Sequence, residues 1–93
     1  MNNDEAKEIL NLHLARYRER TYAELRNLID ESETIECSSP SGVTYQIQTQ
    51  VFWDDEPEGN LRVMGAIDDG GWRALSPLCG DFIMAPDGSF IGE

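Results

Sequence analysis

Asp54, Glu56, Glu58 and Gly59 fall at the placement of the first, third, fifth and sixth positions of a calcium-binding loop, the sharpest ligand-like arrangement of acids in the chain. The match then stops. The twelfth position, which should bring a bidentate carboxylate, is Gly65, and Pro57 disturbs the fourth. The residues therefore read as an acidic, solvated hairpin loop. A second cluster lies in "AIDDGGWRAL", residues 66–75, where Asp68, Asp69 and two glycines precede Trp72 and Arg73. Cation binding and a tight turn both suit those residue types. The turn is favoured, because glycine accepts positive φ, aspartate bonds its own backbone, and strand-like segments flank the four residues.

Other chemistries lack members. Zinc needs four ligands, and the sulfur and imidazole donors are Cys37, Cys79 and His13. His13, the single histidine, has no partner at a spacing that would make it a general base. Cys79, in "PLCGD", sits beside Asp81, and an acidic neighbour raises a thiol's pKa rather than activating it. It reads as a small half-buried hydrophobe in a loop. "SSPSG" at 38–42 has neither the lysine nor the following helix of a phosphate cradle. The expectation is a protein without catalytic constellation, metal or cofactor.

The elements that must position these residues begin with a helix over 4–30. Asn2 or Asn3 caps it, and Ala6, Leu10, Leu14, Tyr17, Thr21, Leu25 and Leu28 form its buried stripe. One such helix would be about 40 Å long at 1.5 Å per residue. "TYAE" at 21–24 has capping-box spacing, which would allow a break or kink near Arg20 as the alternative to one long helix. His13 falls at the stripe's edge, while Ile9 and Leu12 project away from it beside Arg16 as a small docking or self-association patch.

Beyond Asp30 the pattern alternates. Strands are predicted at 34–38, 43–53, 61–67, 72–76, 82–85 and 90–92, joined by short turns that imply antiparallel pairing. In the second, Val43, Tyr45, Ile47, Thr49, Val51 and Trp53 take the core face, and Thr44, Gln46, Gln48 and Gln50 the wet one. The expected fold is α+β, a long N-terminal helix packed on one face of a meandering antiparallel β-sheet of about five to six strands, with residues 1–93 as one domain. Counting turns along that meander sends Asp54, Asp55, Glu56 and Glu58 to the same end as Asp81, and Asp68, Asp69 and Asp87 to the other. At fold level this resembles cystatin-like and small NTF2-like architectures, a likeness that implies no function.

Charge narrows the partner. Eighteen acids against seven bases give −11, which disfavours nucleic acid and anionic membranes. The excess is uneven. Residues 1–26 balance five acids with Lys7, Arg16, Arg18, Arg20 and Arg26, whereas residues 27–53 carry Asp30, Glu31, Glu33 and Glu36 with no base. Nine more acids face only Arg62 and Arg73 in residues 54–93. No apolar run approaches membrane-spanning length and the start lacks a basic head, so a cytoplasmic protein with reduced cysteines is expected.

The leading expectation is a non-enzymatic interaction module for another protein, a basic one or a second copy of the chain. Its contact residues would be Gln46, Gln48, Gln50, Arg62 and Met64 on the polar sheet face, with Asp54, Asp55, Glu56 and Glu58 of the acidic loop. The alternatives are an immunity-type or inhibitor protein masking a basic site on a toxin or nucleic-acid-binding protein, and a small-ligand binder or enzyme. The last needs a pocket between helix and sheet, walled by Tyr17, Tyr45, Trp53, Trp72 and Phe82.

Overall fold

The computed structural model describes residues 2–71 and 76–93. Its fold is α+β, a helix packed on a four-stranded antiparallel sheet. The helical region is divided in two, α1 (Asn3–Arg18) and α2 (Tyr22–Arg26). Thr21 causes the division. Its backbone is extended, its hydroxyl accepts the Glu24 N–H, and the Glu24 carboxylate accepts the Thr21 N–H, so a new helix starts where a continuous one was expected. At the other end of α1, Asn2 accepts the Glu5 N–H, and Asp4 and Glu5 lie in the first turn, where negative charge suits the helix dipole.

The sheet follows as β1 (Ser32–Ser38), β2 (Thr44–Trp53), β3 (Leu61–Asp68) and β4 (Leu78–Met84), in spatial order β1-β2-β3-β4. Every neighbouring pair is antiparallel. Among the described residues four strands stand where five to six were expected. The predicted strand at 72–76 falls largely outside the described residues. The one at 90–92 is only a bridge from Phe90 to Met84 with a hydrogen bond from the Ile91 N–H to the Ile83 carbonyl.

This count also corrects the sorting of the acids. Because β3 pairs directly with residues 78–84, Asp81 is inside β4 opposite Met64, and the turn that carries Asp87 lies at the same end as the 54–60 loop. Cys79 is likewise a strand residue, exposed opposite Ala66, and not a half-buried loop residue.

One sheet face is core. Tyr45, Ile47, Val51, Leu61, Val63, Ile67, Phe82 and Met84 are buried there against Ala6, Leu10, Leu14 and Tyr17 of α1 and Leu25 of α2. α1 lies over β3 and β4. The close approach is permitted by two glycines, since Gly65 and Gly80 are cross-strand partners beneath Leu10 and Leu14. A methyl on Gly65 would stand 2.9 Å from Leu10 Cδ1 and 3.2 Å from Leu14 Cδ2. The helix thus settles toward β4, and β1 extends past its other side.

Candidate binding surfaces

That offset leaves the helix-facing side of β1 only partly covered. Glu33, Ile35 and Cys37 point to this side, opposite Thr49, Ile47 and Tyr45. Glu33 is exposed, and Ile35 and Cys37 are half-buried. Between them and α1 runs a groove of about 220 Å³, lined by Ile9, Leu12, Ile35, Cys37, Pro40 and Ile47, together with buried His13 and exposed Arg16. Leu12 is 64% exposed. The Ile9 and Leu12 patch expected on the helix is therefore one wall of a groove whose other wall is an edge strand.

A polar cluster adjoins the groove. His13 is buried, correcting its expected place at the edge of the stripe, and its Nε2 lies 3.0 Å from Thr49 Oγ1 and 3.8 Å from Glu33 Oε1. The Tyr17 hydroxyl donates to Glu33 at 2.7 Å, and the two rings meet edge to face at 5.3 Å. Burial lowers the His13 pKa, opposed by Glu33 and assisted by Arg16 and Arg20. Burial and the Glu33 bond push Tyr17 up to about 12. Among the described residues no buried side-chain polar atom lacks a partner.

The hairpin between β1 and β2 closes the far end of the groove. Glu5 accepts the hydroxyls of Ser41 and Tyr45 at 2.8 and 2.9 Å, and these bonds, Ser41's first, lower its pKa. Ser39 is buried, accepts the Val43 N–H and contacts Ser41. Ser39 and Ser41 of "SSPSG" are thereby committed to the turn, while Ser38 ends β1.

The opposite sheet face carries the residues expected to meet a partner. Gln46, Gln48 and Gln50 are exposed along β2, and Arg62 and Met64 are half-buried beside them on β3. Arg62 is engaged, bonding Asp54 at 2.8 Å and also Asp81. Asp55 and Glu56 stand exposed in the loop, while Glu58 pairs with Arg26 of α2. Two of the would-be calcium ligands, Asp54 and Glu58, are thus held by arginines. Among the described residues no three His, Cys, Asp or Glu side chains converge as metal ligands.

Of the supposed aromatic walls, Tyr17, Tyr45 and Phe82 are core side chains and Trp53 is half-buried against them. Trp72 lies outside the described residues. Asp68 and Asp69 accept the N–H groups of Gly70 and Gly71, and Gly70 stands at φ 84°, while the strand expected to complete that hairpin at 72–76 falls largely outside the described residues.

Sequence reasoning missed Glu33, Ile35 and Cys37. The alternation of Glu33, Ile35 and Cys37 was a usable signal, but the groove depends on which side of the sheet the helix favours. That is set by Gly65 and Gly80, far along the chain. Among the described residues no helix is long and apolar enough to cross a membrane. Comparison with protein-family models, curated proteins and solved structures returns no match.

Proposed function

We propose that the chain is a non-enzymatic protein-interaction module whose partner is basic. One observation carries this reading: the free edge of the sheet is acidic and unneutralised. Asp30, Glu31 and Glu36 lie in or just before β1, and among the described residues no lysine or arginine pairs with them. Arginines answer some acids elsewhere, with Arg18 on Glu93, Arg26 on Glu58, and Arg62 on Asp54 and Asp81, while Asp55 and Glu56 of the loop are exposed like the edge acids. Isolated surface acids favour solubility, but Glu36 lies on an edge strand whose other face, through Ile35 and Cys37, lines an apolar groove with an exposed leucine. A cytoplasmic setting agrees with two free cysteines on opposite sheet faces.

The test is capture of partners from cytosol, followed by binding of each purified partner at rising ionic strength. The expected result is a basic protein whose affinity falls steeply with salt. If that partner proves to be a toxin or a nucleic-acid-binding protein whose basic site is covered, the module is an inhibitor. Neutral or acidic partners with salt-independent affinity would overturn the reading.

A further inference from the structure

We infer that the partner adds an extended segment to the free edge of β1, with apolar side chains entering the groove and lysines or arginines alternating with them on the opposite side. This rests on the basic-partner reading and adds the mode of binding.

The backbone decides which groups are available. The Ser39 N–H donates to the Val43 carbonyl at 2.8 Å, so 39 and 43 form a hydrogen-bonded pair, and the unbroken register repeats that state at Cys37–Tyr45, Ile35–Ile47 and Glu33–Thr49. The intervening residues direct their N–H and C=O groups away from β2. Among the described residues, Thr34 and Glu36 therefore present unpaired donors and acceptors along the edge, the template that strand addition uses. The other edge is less open. On β4 the outward carbonyl of Ile83 is already bonded by Ile91.

The same register assigns the side chains. Residues directly opposite in a ladder share a face, so a residue of the added strand facing Ile35 enters the side occupied by Ile9 and Leu12. An apolar side chain fits there. Its neighbours in sequence emerge on the opposite face beside Glu36, where a lysine or arginine meets an unpaired carboxylate. Arg16, the base lining the groove, is on the helix side and does not oppose that contact. A second copy of this chain is the poorer occupant, because it would bring another −11 of charge to the same acidic edge.

The experiment titrates the protein with a fluorescein-labelled heptapeptide of alternating lysine and valine. The comparison peptide is methylated on the backbone nitrogens that would face β1. Three variants accompany it. Thr34→Pro removes an outward N–H and no ladder bond, a position where an edge strand accepts proline. Leu12→Ser alters an exposed helix position and leaves the fold intact, and Glu36→Lys reverses the edge charge.

Strand addition predicts about tenfold weaker binding for the methylated peptide and for Thr34→Pro, the size expected from losing one or two hydrogen bonds. It also predicts several-fold weakening in Leu12→Ser, lost salt dependence in Glu36→Lys, and slowed amide exchange at Thr34 and Glu36 on saturation. Equal affinity for both peptides and for Thr34→Pro, with salt dependence kept, overturns strand addition and leaves the basic-partner reading standing. Failure of both peptides to bind at low salt counts against both. A dimer of the free protein that Thr34→Pro dissociates would assign the edge to self-association and overturn the inference.

Discussion

Gly65 lies opposite Gly80 in the β3–β4 ladder, and the side chains of Leu10 and Leu14 descend onto both. The pair forms a saddle that lets α1 sit closer to these strands than any side chain there would allow. Gly65→Ala is expected to cost about 1–3 kcal/mol, as overpacking of a tight core does. Gly80→Ala should cost less, because its nearest contact is 3.2 Å rather than 2.9 Å. Urea denaturation measures both. Leu10→Ala vacates the atom nearest Gly65, so in that background the Gly65→Ala penalty should shrink; strict additivity would show that the saddle does not position the helix.

His13 contributes a pH dependence whose sign follows from its burial. Its folded pKa is lowered chiefly by desolvation, so the unfolded chain takes up the proton first, near pH 6.5. Stability is complete above that pH and falls as pH drops from about 6.5 toward the folded value. Glu33 works against the shift, while Arg16 and Arg20 add to it. His13→Gln should flatten the stability profile below about pH 6.5, measured by chemical denaturation at each pH. An unchanged slope would mean that another group supplies it.

Tyr17 has the opposite dependence. With a folded pKa of about 12, its contribution is complete below about pH 10 and is lost as pH rises toward 12. Tyr17→Phe should remove about 1 kcal/mol at neutral pH, since Glu33 is exposed and regains water when the hydroxyl is gone. Ultraviolet titration should show one fewer late-ionising phenol in that variant.

The capping box at 21–24 is both a prediction and a measure of what the sequence discloses. Thr21→Ala removes the acceptor for the Glu24 N–H and should cost about 1 kcal/mol, while Thr21→Ser keeps it. The capping-box spacing was legible because all its bonds span three residues, but the unbroken stripe from Ala6 to Leu28 favoured one continuous helix, and the break overturned it. The β2 alternation was legible for a similar reason, since each side chain's face follows from its neighbours in sequence. His13 was not, because its burial depends on Thr49, 36 residues away. Edge strand β1 begins two residues before the predicted start, at Ser32, since its polar first turn gives no apolar signal. The acids at the sheet ends were missorted because the expected order did not pair β3 directly with residues 78–84, and each change in the number of crossings exchanges the two ends of a meander.

Arg62 separates the two functional readings of the sheet. It stands on the open face between Asp54 and Asp81, with Phe52 and Ile83 as its cross-strand neighbours. The bonds to Asp54 raise its pKa most, and Asp81 adds to the effect. Arg62→Met keeps the aliphatic stem over those neighbours and leaves two carboxylates facing each other. A small fall in melting temperature is expected at low salt, largely erased near ~1 M, where charges are screened within about 3 Å. The binding consequence differs by surface. If a partner uses β1 and the groove, the variant should bind the alternating lysine–valine peptide as the parent does, because Arg62 lies two strands away and pairs with Phe52, at the opposite end of β2 from Gln46, the partner of Glu36. If a partner instead occupies the row of Gln46, Gln48 and Gln50, removing Arg62 alters both the shape and the charge of the surface, and affinity should change severalfold in a stable protein.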